Sequence, residues 1–374
     1  MKKIASNRIS RIFNVFVMIL SLSIIPLSCE GEEPNTTPED VVEEEKDDAP
    51  PQKEEDKDKD EAVTYTNPVI DRDWPDPTVW KSGNYYYAIA TGAYNIYMSK
   101  DMVNWTDTKR NRLSESAKTE VQKIGSNFWA PDVVKVGNKW MLYLTCYNSN
   151  QDCGIVALTS PSAIGPFNFV SLITHSKQTG IKDTIDPEVV YDKEEDKLWM
   201  FFGSIGKMHR VELNKEGTAL AENAVYEHVA GLDVNDNPSR SKVFEAAYLY
   251  YHDGYWYLFA SAGLYLDSTY NVVVGRSKTL SGEFVDKEGR KMTEGYATSF
   301  IKSESGDDFF GPGHTGEIFT DKNGNYFIFY HCHQKSSGND GKRYLMLQQM
   351  YWGEDGWPYV EGGKPVVTAT APVL

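Results

Sequence analysis

The sequence predicts an all-β fold, a five-bladed β-propeller of four-stranded antiparallel blades, on three observations. A phrase recurs five times at spacings of roughly 55–70 residues: a short strand opening on Asp, Glu or His, a tight turn, then an aromatic-rich strand. The turns carry Gly, Asn or Asp where a hairpin needs positive φ. No stretch shows helical periodicity beyond two turns, the best candidate being an insertion at Ser114–Ile124. Each repeat is a β-meander, and radial repetition of meanders makes a propeller.

In chain order the units begin Asp76-Pro-Thr-Val-Trp, Asp132-Val-Val-Lys-Val, Asp186-Pro-Glu-Val-Val, Glu245-Ala-Ala-Tyr-Leu and His314-Thr-Gly-Glu-Ile-Phe. Their second strands start at Asn84, Lys139, Leu198, Tyr255 and Tyr326 and are apolar almost throughout, as strands buried between neighbouring blades should be. Third strands follow at Ile96, Gly154, His209, Asn271 and Leu345. To close the ring, a strand near Tyr65 is expected to pair with the last blade, with Trp352-Gly-Glu-Asp-Gly-Trp-Pro-Tyr beside it.

The propeller is assigned to residues 64–374. Before it, residues 1–29 join a basic start (Lys2, Lys3, Arg8, Arg11) to the apolar run Ile12–Leu27 and Ser28-Cys29. This resembles a bacterial lipoprotein signal peptide, although Pro26 stands where Leu is usual. It implies export, with a lipid on Cys29 anchoring the protein to the outer membrane, at the cell surface or the periplasmic face. Residues 30–63 contain almost no large apolar side chain and are read as an acidic, disordered linker. The acidic run after Cys29 resembles a surface-export signal; the alternative is a solvated spacer. Of the net charge of −16, residues 1–29 contribute four positive charges, and residues 30–61 carry sixteen acidic side chains against four Lys, which leaves −8 for the rest. No basic stripe appears, which argues against nucleic acid as a partner. Cys146 and Cys153 flank a hairpin tip across which they could form a disulfide, while Cys332 reads as a small buried hydrophobe.

The repeat brings Asp76, Asp132, Asp186, Glu245 and His314 toward one axis. Glycoside hydrolysis needs such a set: one ionised carboxylate to activate water and one protonated carboxyl aimed at the leaving oxygen. Asp76, short and held between Pro75 and Pro77, is the candidate general base. Glu245, longer and beside Ala246-Ala247, is the candidate general acid. Asp186 is the third carboxylate, whose charge disfavours ionisation of Glu245. Asp132 is a substrate-binding candidate, or alternatively bonds backbone amides. Stacking on sugar faces is assigned to Trp74, Phe128 and Trp129, with blade core as the alternative. His314 either holds a metal ion, through water, or only bonds neighbouring carboxylates.

These residues lie in phrases that resemble glycoside hydrolase family 43: Asn67-Pro-Val, Trp74-Pro-Asp-Pro-Thr-Val, Phe128-Trp-Ala-Pro-Asp-Val, Ile185-Asp-Pro-Glu-Val, Glu245-Ala-Ala-Tyr, Gly311-Pro-Gly-His and Asp355-Gly-Trp-Pro. The resemblance implies a five-bladed propeller that inverts the anomeric centre and needs no organic cofactor, with Asp76 as base, Glu245 as acid and Asp186 tuning the acid. Inversion implies carboxyls about 6.5–9.5 Å apart. Gly125-Ser-Asn-Phe-Trp-Ala-Pro-Asp and Gly311-Pro-Gly-His resemble the endo-α-1,5-L-arabinanase branch, which implies arabinose-containing polysaccharide as substrate and a single ion, often Ca2+, near the axial histidine. Trp-Pro-Asp-Pro is instead similar to exo-acting arabinofuranosidases and β-xylosidases, and Arg343 resembles the arginine those enzymes place on a sugar hydroxyl. Exo action is therefore the alternative. A non-catalytic glycan-binding lipoprotein is the rival of another class; it predicts a missing carboxylate, and all three are present.

Overall fold

The computed structural model describes residues 63–336 and 341–374. Five antiparallel sheets follow one another along the chain as blades. Blade 1 comprises Thr78–Ser82, Tyr85–Ile89, Asn95–Ser99 and Trp105–Asn111. Blade 2 comprises Asn127–Val136, Lys139–Ser149, Asp152–Ser160 and Asn168–His175. Blade 3 is Glu188–Asp192, Lys197–Phe202, Met208–Leu213 and Glu227–Ala230, and blade 4 is Phe244–His252, Tyr255–Ala262, Asn271–Ser277 and Thr298–Lys302. Blade 5 is Phe309–Gly313, Tyr326–Gln334, Tyr344–Trp352 and Pro358–Tyr359, with Ile318–Thr320 pairing further along the same second strand. The expected four-stranded, five-bladed architecture is therefore present. The proposed signal, with Cys29, and the proposed linker up to residue 62 lie outside the described residues.

The core is divided among the interfaces between blades, because each second strand is apolar on both faces. One cluster joins Ile89 and Trp80 of blade 1 to Leu142 and Leu144 of blade 2, and another joins Met141 and Tyr143 to Met200 and Phe202. Phe201 and Trp199 meet Leu258 and Ala260, while Tyr257 and Phe259 meet Ile328 and Tyr330. Phe327 and Phe329 of blade 5 then pack against Tyr86 and Ala88 of blade 1, so the ring closes. The expected helix spans Glu115–Gln122, capped by Ser114 Oγ, and buries Ala117 and Val121 between blades 1 and 2.

Two expectations need correction. Trp352–Tyr359 does not lie beside the first strand. It forms the outer hairpin of blade 5, where Trp352 stacks on His252 of blade 4 at 3.8 Å. Thr64–Thr66 pairs with Thr368–Thr370, while the residues after it join blade 5 as expected: the Asn67 side chain donates Nδ2–H to Leu347 C=O and accepts Leu347 N–H at Oδ1, and Ile70 bridges Leu345. Cys146 and Cys153 are both free and buried. Cys146 lies opposite Gly154 and Tyr147 opposite Cys153, so the two thiols are one position out of register and point to opposite faces of the sheet.

The feature that builds the site is one left-handed residue at the axial start of each blade: Asp76 (φ 51°), Ala130 (φ 38°), Asp186 (φ 57°), Ala246 (φ 57°) and His314 (φ 48°). A proline following Asp76 and Asp186 predicts extended backbone; the observed left-handed turn takes each residue's N–H out of its own ladder. In four blades that N–H donates to a side chain of the preceding blade, on its second strand or, for Thr91, two residues past it. Asp76 N–H reaches His331 Nδ1, Ala130 N–H reaches Thr91 Oγ1, Asp186 N–H reaches Thr145 Oγ1 and His314 N–H reaches Ser261 Oγ, at 2.7–3.1 Å.

Candidate active site

The left-handed turns aim Asp76, Asp186 and His314 into one cavity of about 380 Å3 at the axis, where Glu245 joins them from the position before Ala246. Thr91, Trp129, Tyr147, Asp183, Ser204, Arg240, Tyr270 and Arg343 complete much of its wall.

Asp76 Oδ1 accepts a 2.7 Å hydrogen bond from Arg343 Nη1 and lies 3.4 Å from His314 Nδ1. Burial alone would raise this carboxyl, but Arg343, His314 and a hydrogen bond from Thr91 together outweigh it and hold it below its ordinary value of 3.8. His314 itself is pushed down to about 4 by burial, so it is neutral near pH 7. His331 accepts from Asp76 N–H through Nδ1, which places its proton on Nε2.

Glu245 is raised above 4.5, chiefly by removal from water and secondarily by the Asp76 charge, against two hydroxyl donors. Those donors fix its position: Ser204 Oγ to Oε2 at 2.5 Å and Tyr270 Oη to Oε1 at 2.7 Å. Gly313 allows this, since a Cβ there would fall 2.0 Å from the Tyr270 ring. Asp186 is raised well above 3.8 by burial and then by repulsion from Glu245, Asp76 and Asp183. Burial biases Asp186 and Glu245 toward the protonated form, while Asp76 is biased toward the ionised one. The cavity thus presents one carboxylate biased toward ionisation and a carboxyl pair biased toward protonation, the arrangement that acid–base cleavage of a glycosidic bond requires.

The other expected site residues divide. Trp129 lines the cavity and stacks on Tyr147 at 3.9 Å, and Arg343 lines it beside Asp76. Trp74 is 1% exposed and packs edge-on against Tyr97, so it is not a platform in this cavity. Phe128 packs into the cluster between blades 1 and 2. Asp132 is not level with Asp76: the equivalent of Asp76 in blade 2 is Ala130, and Asp132 lies two residues deeper. There its Oδ2 accepts Val189 N–H at 2.9 Å, which is the backbone-bonding alternative. Glu188 Oε1 takes Leu249 N–H, and Tyr248 Oη takes Ile318 N–H, at the corresponding positions of the next blades.

Asp183, Ser204, Tyr270, Arg240, Thr91 and Tyr147 were not found in the sequence. One signal was available: polar residues at the ends of otherwise apolar second strands (Thr91, Ser204, His331) mark the same rim.

Below His314 a narrow space is lined by Asp132, Glu188, Glu317 and Thr315, whose buried hydroxyl has no partner. Three carboxyls in one buried place suit a cation. Among the described residues no three His, Cys, Asp or Glu side chains converge closely enough to ligate one directly. The charge there suits a cation, but the space, about 10 Å3, is no larger than a single water, so an ion held through water would need it to widen.

A five-bladed propeller with carboxyls of opposite bias in one axial cavity suits a glycoside hydrolase, and the comparisons agree. The model of the glycosyl hydrolases family 43 matches residues 65–358. The chain belongs to that family. An extracellular exo-α-(1→5)-L-arabinofuranosidase of Cellvibrio japonicus is 29% identical over 304 residues, covering 76% of this chain and 86% of that protein. An extracellular endo-α-(1→5)-L-arabinanase of Bacillus subtilis is also 29% identical, with the same coverage. The solved structure of Cellvibrio cellulosa α-L-arabinanase with arabinohexaose aligns with a TM-score of 0.65 at 27% identity, covering 77% of this chain and 95% of that one.

Proposed function

We propose that this glycosidase cleaves α-1,5-linked L-arabinan internally and with inversion. The observation that carries the mechanism is the opposite bias of Asp76 and Glu245 across one cavity. Asp76, ionised, takes a proton from water as that water attacks the anomeric carbon. Glu245, protonated, gives its proton to the leaving oxygen, and Asp186 beside it limits loss of that proton. Arg343 and Trp129 face the same space and are assigned to substrate hydroxyls and to a sugar face. A cation below His314 would neutralise part of the axial negative charge; no organic cofactor is needed. The relatives named as arabinan-cleaving enzymes support the substrate, and three relatives named extracellular support export. Anchoring through a lipid on Cys29 follows from the sequence alone. Exo action is the second reading, favoured by the name of the Cellvibrio japonicus relative.

Incubation with linear arabinan, arabinoxylan, xylan and aryl glycosides, followed by chromatography, tests the assignment. A ladder of arabino-oligosaccharides is expected. Monosaccharide alone would replace endo with exo action, and xylose products would replace the sugar. Glu245→Gln is expected to lower turnover about 10²–10⁴-fold with folding intact, and an unchanged rate would remove it from the mechanism.

A further inference from the structure

A second depression, of about 370 Å3, opens beside the catalytic cavity on blade 1. Its walls are the segment Arg72–Trp74, which leads into the inner strand, and the turn 91–95 between the second and third strands. It adjoins the catalytic cavity, with Thr91 lining both. Asp73 Oδ1 accepts Arg343 N–H at 3.1 Å, and Trp74 N–H donates to Arg343 C=O at 2.6 Å, so one wall is joined to the residue that holds Asp76.

Its lining suits a sugar. Tyr94 is 66% exposed, more than any other tyrosine among the described residues, so it adds little to the core. Its turn is nevertheless rigidly held: Tyr94 C=O accepts Arg112 N–H at 2.8 Å, and the buried Arg112 guanidinium bonds Ala90 C=O at 3.0 Å. A flat ring on a fixed turn is a ready surface for the C–H face of a sugar. Around it stand groups for hydroxyls: Arg72, Asn95 and Asp107, the last two joined at 3.2 Å. The indole N–H of Trp74, on the same wall, is buried without an acceptor.

We infer that this depression is a distal sugar-binding subsite, which holds units of the polysaccharide several positions from the bond being cut, with Tyr94 as its platform. The inference rests on the carbohydrate reading of the catalytic cavity and names a place where the same chain continues.

The test uses the full chain carrying Glu245→Gln, which retains the cavity but not turnover, with and without Tyr94→Ala. Calorimetry with arabinotriose and arabinohexaose is the readout. Loss of the platform is expected to weaken hexaose binding roughly five- to tenfold and leave triose binding unchanged, with Tyr94→Trp restoring the affinity. Equal hexaose affinity with and without the ring would overturn the subsite. Equal weakening of both sugars would also overturn it, since Tyr94 would then serve the catalytic cavity. Failure of both sugars to bind while Tyr94 is present would overturn the inference together with the arabinan reading, and the first two outcomes would leave that reading standing.

Discussion

At the scale of single residues, the site depends on what stands beside each carboxyl. Arg343 donates to Asp76, and its charge is the largest effect opposing the burial that would raise that group. Removing it by Arg343→Met is therefore expected to raise the Asp76 pKa. Because the base works ionised, the acid limb of kcat/KM should move to higher pH; an unmoved limb would separate Asp76 from that ionisation. Ser204→Ala acts on the other limb. It removes a donor to the Glu245 anion, so the acid's pKa should rise and activity should persist to higher pH. The three carboxylates were legible because Asp-Pro and Glu-Ala-Ala sit at the start of repeated strands. Ser204 and Tyr270 were not, because their role exists only where blades 3 and 4 meet. Trp74 was misplaced because an aromatic beside a catalytic motif reads the same whether it faces the cavity or the core.

At the scale of elements, four of the five left-handed turns depend on the previous blade for a hydrogen-bond partner. Thr145 is fully buried and accepts Asp186 N–H. Thr145→Val leaves that N–H unpaired at nearly constant shape, so a loss of about 1–3 kcal/mol is expected in denaturant unfolding, with Thr145→Ser retaining most of the stability. Equal stability of the Val and Thr proteins would deny the latch. The second and third strands were legible from their apolar runs and turn residues. The level of Asp132 was not, because the repeats were aligned on acidic residues. Blade 2 reads Ala-Pro-Asp where blades 1 and 3 read Asp-Pro-Thr and Asp-Pro-Glu. The proline, which follows the left-handed residue in all three, is the better marker of depth.

At the scale of the whole molecule, five blades bury carboxyls along one axis. Burial first, then mutual repulsion, raises Glu317 to about 8, and burial raises Asp132 to about 7, against ordinary values of 4.5 and 3.8. Between those ordinary values and the raised ones, the folded protein holds protons that the unfolded chain has released. Stability should therefore fall as pH rises from about 4 to about 8 in the presence of a chelator. Asp132→Asn and Glu317→Gln should flatten that fall in thermal scans, and a divalent cation should oppose it; a pH-independent Tm would contradict the axial cluster. The ring itself was legible from five repeats, whereas the pairing of Thr64–Thr66 with Thr368–Thr370 was not, since that short strand carries no pattern of its own. The central claim is that Asp76 and Glu245 act from opposite sides of one α-linked arabinosyl bond. Proton NMR of fresh linear arabinan digests, read before mutarotation, tests it most directly. The account predicts that the β-anomer appears first at the new reducing end, and first appearance of the α-anomer would contradict it.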